Sequence, residues 1–220
     1  MARNTRDRIL AEARRLFNEQ GYSNVTTAAL AASVGIAEGN LWYHFKNKSA
    51  LLEALISQFE VDIGERLTLR PGVASDEAAL LDDYMAFVLA FGRELREWRF
   101  LYRDHIEYGD NGPRMADLQP GWYSSNYQQL ESYYARMIDA GLLDWPRSRL
   151  DDLVTNATII FRFSLEYFKE SGQPVAVGSG AVTKALTQHL TLFEHRMDPD
   201  VAKRLREGLE QPAESLLEPA

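Results

Sequence analysis

The sequence predicts an all-α protein in which a small N-terminal domain of three helices is joined to a larger helical body. Apolar residues recur at intervals of three and four along several long segments, as on one face of an amphipathic helix. Glycine and proline clusters separate these segments, and 45% of the 220 residues are hydrophobic, which is ample for a buried core. No apolar run approaches the ~18 residues of a membrane span, and the start MARNTRDRIL lacks the apolar stretch of an export signal. We therefore expect no contact with a membrane.

The first helix is predicted from Thr5 to about Gln20, and Gly21 ends it. Its apolar face carries Ile9, Leu10, Ala13, Leu16 and Phe17. Arg3 and Arg6 lie at its start, where positive charge opposes the helix dipole. Either these arginines meet a nucleic-acid backbone or they belong to a frayed, solvated terminus.

Residues 26–51, TTAALAASVGIAEGNLWYHFKNKSAL, have the pattern of a helix-turn-helix motif. One short helix is predicted over about 27–33 and a second over about 38–45, with Gly35 in the turn between them. The inner faces of the crossed helices are expected to hold Leu30, Val34, Ile36, Leu41 and Phe45. The outer surface is expected to hold Glu38, Gly39, Asn40, Trp42, Tyr43 and His44. Such a mixture of hydrogen-bonding and aromatic side chains is typical of a helix that lies in a DNA major groove.

A long helix is predicted to begin at Lys48 and to reach about residue 69. Its apolar residues recur at every fourth position, at Leu51, Leu55, Phe59, Ile63 and Leu67. A stripe of this length can be buried against both the N-terminal helices and the body. We therefore expect helix 48–69 to connect a DNA-binding domain of residues 1–47 with a body of residues 48–220, and to act as a lever between them.

The body is predicted to contain further long helices at about 77–97, 115–141, 149–170 and 180–195, followed by a tail that is helical from about Asp198 and loosely held at its end. The second of these is rich in tyrosine, which combines an apolar ring with a hydroxyl. Aromatic residues of the body belong either to the core or to a pocket for a ligand of mixed polarity. The pocket candidates are Phe87, Phe91, Trp98, Tyr102, Trp122, Tyr123, Tyr127 and Phe161.

The formal charge of −8 is unevenly distributed along the chain. Residues 1–50 carry seven basic and four acidic side chains, so a region of net charge +3 precedes a body of net charge −11. Duplex binding requires cations that neutralise phosphates. The asymmetry therefore favours nucleic acid as a partner of the N-terminal region.

The parts of a catalytic site are missing from the sequence. The absence of cysteine excludes disulfides, thiolate metal sites and a cysteine nucleophile. The four histidines form no metal-binding spacing, Gly178-Ser179-Gly180 lacks the wider nucleophile-elbow pattern, and neither a phosphate-binding loop nor a dinucleotide fingerprint occurs. We predict that the protein is not an enzyme and has neither a cofactor nor a metal.

Residues 26–51 resemble the DNA-binding signature of TetR-type transcriptional regulators. The resemblance is carried by Thr-Thr at 26–27, Val-Gly-Ile at 34–36 and Gly-Asn-Leu-Trp-Tyr-His-Phe-Lys-Asn-Lys at 39–48. The motif covers the first quarter of the chain, and the remainder agrees in length and helical character. The resemblance implies a cytoplasmic regulator that binds a double-stranded DNA operator as a homodimer and whose body binds a small-molecule effector.

The resemblance also implies which residues contact DNA. Phosphate contacts are expected from Thr27, Tyr43, His44 and Lys48, with Trp42 near a sugar, the backbone or a thymine methyl. For His44 the alternative is an ordinary helix residue beside a core phenylalanine.

Base reading is expected at the start of the second short helix. The amide of Asn40 can pair with an adenine edge, and Gly39 would let the backbone approach the duplex closely. Glu38 either accepts from a cytosine amino group or is a solvated first-turn glutamate. The sequence departs from the family at Ala37, where serine or threonine is common, and the helix thereby loses an N-cap worth about 0.5–2 kcal/mol.

In the family that the motif resembles, the last two long helices pair with those of a twin subunit. The corresponding residues here are Ala157, Phe161, Ser164, Phe168, Ala185, Leu186, His189 and Phe193. Ordinary packing within one subunit is the alternative.

These observations predict a ligand-responsive transcriptional regulator. In this interpretation it is a repressor that binds a roughly palindromic operator as a homodimer and is released by a small molecule of mixed apolar and polar character. The alternative is a helical ligand-binding or protein-interaction module that has lost specific DNA binding, and Ala37 and Glu38 are the residues that keep this alternative open.

Overall fold

The computed structural model describes residues 5–68, 76–104, 108, 113–176 and 178–210, and every regular element within them is helical. The predicted all-α fold class is therefore confirmed. The α-helices are α1 Thr5–Gln20, α2 Thr27–Val34, α3 Glu38–His44, α4 Lys48–Thr68, α5 Glu77–Glu97, α6 Arg99–Arg103, α7 Pro113–Asp139, α8 Leu150–Glu170, α9 Ala181–Gln188 and α10 Pro199–Glu210. The 3₁₀ turns are Arg147–Arg149, His189–Leu192 and Glu194–Arg196.

The predicted helix ends agree with the structure to within two residues for all the predicted helices except α9. Some expectations lie outside the described residues. They concern Arg3, the last residue of the predicted helix 48–69 and the end of the tail. No helix in the described ranges is long and apolar enough to cross a membrane.

The chain forms two compact units. The N-terminal unit comprises Met1–Gly64 and Glu97–Gly121, and the C-terminal unit comprises Glu65–Arg96 and Trp122–Ala220. The functional boundary expected between residues 47 and 48 remains a prediction, because compactness does not define which residues bind DNA.

The N-terminal unit is built on the apolar face of α1. Ile9, Ala13 and Phe17 are fully buried there, as their spacing predicted. The ring centroid of Phe17 lies 5.2 Å from that of Tyr22 and 5.4 Å from that of Phe100. These aromatic contacts join α1 to the turn that follows it and to α6.

Polar contacts also join the end of α1 to α6. The guanidinium of Arg103 donates to the carbonyl oxygens of Phe17 over 2.7 Å and Asn18 over 2.9 Å. These carbonyls lie in the last turn of α1, where the helix dipole favours a cation, and that of Phe17 also accepts from the N–H of Gly21 over 3.0 Å. Asp104 accepts from the backbone N–H of Tyr22 over 2.7 Å. The start of the helix-turn-helix is thereby fixed to the residues that follow α6.

The core of the C-terminal unit contains a buried polar chain of three side chains. The Tyr84 hydroxyl lies 2.6 Å from Nε2 of His189 and 3.2 Å from the Tyr134 hydroxyl. His189 Nδ1 contacts the carbonyl oxygen of Leu186, which can only accept, so Nδ1 carries the proton and Nε2 accepts from Tyr84. Burial lowers the pKa of His189 to about 3 and raises the pKa of both tyrosines.

The last long helix of the prediction is shorter in the structure. A single helix was expected over 180–195, whereas α9 ends at Gln188 and two 3₁₀ turns follow. The His189 ring takes the carbonyl of Leu186, an acceptor that a continuing α-helix would use for its own backbone N–H. In the first of these turns the N–H of Phe193 donates to the carbonyl of Leu190, three residues back. The periodic pattern did not reveal this change, because 3₁₀ turns preserve a similar apolar spacing.

Candidate nucleic-acid interface and effector region

The turn between α2 and α3 has the geometry that the sequence indicated. Thr26 is the N-cap of α2, and its hydroxyl accepts from the N–H of Ala29 over 3.1 Å. Gly35 ends α2 with φ +77°, a left-handed conformation that side-chain-bearing residues rarely adopt. The N–H of Ile36 donates to the carbonyl of Ala31 over 3.0 Å, which closes the turn.

Helix α3 is held in place by its apolar side chains. Ala37 provides no side-chain cap, as predicted, so the helix starts without the usual hydroxyl. Leu41 and Phe45 are buried, whereas Ile36 is only partly buried. The inner-face prediction therefore holds for four of its five residues, Leu30, Val34, Leu41 and Phe45.

The outer face of α3 is open to solvent, except that His44, which was also expected there, is partly buried. Glu38, Gly39 and Asn40 are exposed, and Trp42 and Tyr43 have exposed fractions of 39% and 87%. A partner surface that covers these two adjacent rings would remove apolar area from water, which is favourable.

The structure links two predicted DNA-binding residues that are eleven positions apart. The hydroxyl of Thr27 donates to Oε1 of Glu38 over 2.7 Å. This contact connects the first residue of α2 to the first residue of α3. Sequence spacing could not reveal it, because it depends on the crossing of the two helices.

Lys48 points into its own unit. Its ammonium group donates to the carbonyl oxygen of Tyr22 and lies 4.2 Å from the Tyr22 ring centroid. The phosphate contact that the resemblance implied for Lys48 would have to compete with these interactions. Lys46, two residues earlier, is exposed and was not among the predicted site residues. The signal in the sequence that could have identified Lys46 is the lysine-asparagine-lysine sequence at 46–48.

Other cations near the motif are also engaged. Arg8 donates to the carbonyl oxygen of Val34 over 2.7 Å, and the guanidinium of Arg6 lies 5.1 Å from the ring centroid of Phe45. Neither lysine nor arginine occurs in residues 16–45. Neutral donors and the flanking cations must therefore provide any phosphate contacts of this motif.

The eight pocket candidates divide between the two units. Trp98 and Tyr102 belong to the N-terminal unit, and the other six belong to the C-terminal unit. Within the C-terminal unit the Phe91 ring lies 5.2 Å from the Phe161 ring. Phe87, Phe91, Trp122 and Phe161 are buried, whereas Tyr123 and Tyr127 are partly exposed. The first four therefore contribute to the core in this structure.

A buried polar cluster lies beside Phe91 in the C-terminal unit. Arg66 forms an ion pair with Glu94 and donates to Gln129 over 3.2 Å, and its guanidinium lies 5.2 Å from the Phe91 ring centroid. Arg66 Nη2 and Asn126 Oδ1 are buried, and neither has a hydrogen-bond partner among the described residues. Asn126 lies one turn from Gln129 on α7, and Gln129 accepts from Arg66. Arg66 Nη2 and Asn126 Oδ1 therefore face the same region of the unit.

A separate groove of about 620 Å³ lies elsewhere in the C-terminal unit. It is lined by the start of α5 and by residues that include Arg136, Leu142, Val201 and Arg204. None of the eight pocket candidates lines it.

The eight residues expected at a dimer contact are all buried within a single chain. Their side chains pack α8 against α9 and the 3₁₀ turn that follows it, which is the alternative considered from the sequence. The opposite face of α8 carries Ile159, Phe163 and Tyr167 with exposed fractions of 50%, 54% and 65%. Since these three residues are four positions apart, they form one exposed apolar stripe.

Two family models match the chain along most of its length. Residues 9–55 match bacterial regulatory proteins of the tetR family, and residues 58–205 match a model described as bacterial transcriptional repressor TetR. The HTH-type transcriptional regulator UidR of Escherichia coli K12 is 42% identical over 117 residues, which are 53% of this chain and 58% of that protein. The nucleoid occlusion factor SlmA of Pasteurella multocida is 34% identical over 79 residues, 36% of this chain and 40% of that protein. The matched regions thus span roughly half the length of these relatives.

The crystal structure of a TetR-family transcriptional regulator from Marinobacter aquaeolei VT8 superimposes with a TM-score of 0.74 at 24% sequence identity. The match covers 95% of this chain and 98% of that chain, and at this identity it concerns the fold. Because one family model covers the helix-turn-helix and the other covers most of the body, the chain belongs to the TetR family of bacterial regulatory proteins.

Proposed function

We propose that this protein is a transcriptional regulator that binds double-stranded DNA through α3. The observation that carries the proposal is the open face of α3, where two aromatic and three small or polar residues are exposed on a helix whose other face is buried. A partner surface that offers both apolar and hydrogen-bonding groups would cover it, and the DNA major groove offers both. The names of the matched relatives include that of a transcriptional regulator, UidR, which supports this reading.

The proposal extends to a homodimer on a roughly palindromic operator. The apolar stripe of Ile159, Phe163 and Tyr167 supports a second copy as its occupant, because an isologous contact buries the same stripe on both copies. Two recognition helices would then enter successive major grooves if they lay about 34–36 Å apart. Such a dimer would act most simply as a repressor that blocks access to the operator.

The proposal includes a small-molecule effector in the C-terminal unit, next to Phe91 and Phe161. The unsatisfied groups of Arg66 and Asn126 support an effector that accepts one hydrogen bond and donates another, with an aromatic or apolar remainder. Coupling of about 1–3 kcal/mol between effector and operator binding would be enough for regulation.

A module that has lost specific DNA binding is the second candidate. It is favoured by the uncapped start of α3 and by the 30-residue stretch 16–45 that lacks lysine and arginine. The two candidates differ in whether the full-length protein enriches any sequence from random duplexes.

Selection from random duplex DNA at low salt tests the DNA-binding proposal. The expected product is an inverted repeat whose half-sites are about one helical turn apart. Asn40→Ala is expected to change which bases are enriched, whereas Tyr43→Ala is expected to weaken binding to all sequences. Gln128→Ala, which removes an exposed amide on α7, is the control. Failure to enrich any sequence or to retard any duplex would favour the second candidate.

Thermal unfolding with a panel of small aromatic acids, alcohols and their methylated analogues tests the effector proposal. A compound that binds the folded state raises Tm, and Asn126→Leu is expected to reduce that shift. This variant removes an acceptor that has no described partner, so its Tm without a compound should not fall much. An undiminished shift would contradict the placement of the effector beside Asn126.

A further inference from the structure

The contact between Thr27 and Glu38 changes the role that the hydroxyl can have. A threonine hydroxyl has one proton, and in this structure the carboxylate takes it over 2.7 Å. The hydroxyl oxygen can still accept, but a phosphate oxygen offers it no proton. While this contact persists, Thr27 therefore orients Glu38 and is unable to donate to DNA.

Glu38 is the only acidic residue of α2 and α3, and neither helix contains lysine or arginine. Besides Glu38, the ionisable side chains of Thr27–Val34 and Glu38–His44 are those of Tyr43 and His44. A carboxylate that approaches a phosphate-lined groove is repelled, and no lysine or arginine of these two helices offsets the repulsion. Binding therefore requires a hydrogen-bond donor on the DNA opposite this carboxylate, and DNA without one is disfavoured.

Few groups on the base edges meet that requirement. In the major groove guanine presents only acceptors and thymine an acceptor with a methyl, whereas cytosine and adenine present amino groups. The adenine amino group lies beside the acceptor N7, which repels a carboxylate. Cytosine presents its amino group without an adjacent acceptor on the same base, so it is the better partner.

The Glu38 carboxylate can accept from a cytosine amino group while it keeps its contact with Thr27. Among the described residues Thr27 is the hydrogen-bond partner of Glu38, and it occupies Oε1. Glu38 is an exposed residue, and the contact with Thr27 uses Oε1 rather than Oε2. The hydroxyl restricts the rotation of the carboxylate, which reduces the conformational entropy that a base contact would cost.

We propose that Glu38, oriented by Thr27, selects a cytosine in each operator half-site, and that Thr27 is a positioning residue for this selection. The inference rests on the proposed DNA-binding function and deepens it by naming a base that the protein requires. A good side-chain contact to a base discriminates by about 5- to 150-fold.

The experiment is selection from random duplexes with the full-length protein and three variants, followed by affinity measurements on single-base changes of the selected site. The parent is expected to require cytosine at one fixed position of each half-site. Glu38→Gln should lose that requirement at this position only, with a shift towards adenine, which an amide reads well. Thr27→Val, which keeps the shape and removes the hydroxyl, should reduce discrimination at the same position by about 5-fold or more, and Thr27→Ser should retain it.

The outcomes separate this inference from the proposal on which it rests. If the parent enriches no sequence, both fail. If the parent enriches an inverted repeat and Glu38→Gln keeps the same base preferences, only the inference fails. It is also overturned if Thr27→Val weakens specific and random duplexes equally with its preferences intact, because that is the result for a phosphate contact. Thermal unfolding of each free variant identifies any loss of folding, and Thr27→Ala, which also removes the hydroxyl, replaces Thr27→Val if that variant does not fold.

Discussion

His189 is a histidine whose neutral form the fold requires. It is fully buried, donates to a backbone carbonyl and accepts from Tyr84. A charged ring would have to lose its hydration and the hydrogen bond from the tyrosine, which is why its pKa falls to about 3. Its role is therefore structural, at the point where α9 changes into a 3₁₀ turn.

The free energy of unfolding is expected to depend on pH through His189. In the unfolded chain its pKa is near 6.5, so below that pH the unfolded state binds a proton that the folded state does not. Stability is therefore complete above pH 6.5 and is lost as the pH falls towards about 3. Between pH 7 and pH 5 the expected loss from this residue is about 2 kcal/mol. Urea unfolding at both pH values measures it.

His189→Gln isolates that contribution. Glutamine keeps hydrogen-bonding capacity but does not titrate, so the variant is less stable at pH 7 and loses less stability between pH 7 and pH 5 than the parent does. His195→Gln, which removes an exposed imidazole, is the control. Equal losses for the parent and His189→Gln would show that another group causes the pH dependence.

Gly92 determines how closely α9 approaches α5. A Cβ built at this position would lie 2.6 Å from Cδ1 of Leu186 and 3.2 Å from Cγ1 of Val182. Since Leu186 is fully buried, Gly92→Ala is expected to displace its side chain or the helix that carries it. The cost of about 1–3 kcal/mol outweighs the gain of about 0.5–1 kcal/mol from the better helix former. Urea unfolding provides the measurement.

A second glycine within a helix gives the matched comparison. At Gly64 in α4 a Cβ would meet no atom within 4 Å, so Gly64→Ala is expected to stabilise the protein by about 0.4–1 kcal/mol. The two substitutions are therefore expected to change the free energy of unfolding in opposite directions. If both variants gain stability equally, the approach of Leu186 to Gly92 is not close in solution.

Helices were predictable from the sequence because their evidence is local. The apolar spacing of α1, the cap at Thr26 and the glycine at 35 each act within a few residues, and the structure reproduces them. The contact of Thr27 with Glu38 and the inward direction of Lys48 depend on residues 11 and 26 positions away. Such contacts follow from how helices cross, and the periodicity of one helix does not contain that information.

The two lysines near the start of α4 predict how the DNA affinity of the whole molecule depends on salt. Because Lys48 is engaged within its unit and Lys46 is exposed, Lys46 is the better candidate for a phosphate contact. Each phosphate contact contributes about −0.9 to the slope of log affinity against log salt concentration. A dimer has two copies of Lys46, so Lys46→Gln should reduce the magnitude of that slope by about 2. Lys48→Gln should change it less, and Lys203→Gln on α10 should leave it unchanged. A larger effect at Lys48 than at Lys46 would restore the assignment that the family resemblance implied.

The apolar stripe on α8 gives the last prediction, which concerns the assembly of the whole molecule. Phe163 lies at the centre of the stripe, and its 54% exposure in a single chain leaves much of its ring for a partner. In a two-fold symmetric contact Phe163→Glu introduces two carboxylates into one apolar interface, so self-association is expected to weaken by at least about 30-fold. Sedimentation equilibrium measures the monomer–dimer ratio. Val61→Glu is the control, because Val61 is 73% exposed on α4, outside the stripe. If Phe163→Glu remains dimeric at the dissociation constant of the parent, the two copies meet on another surface.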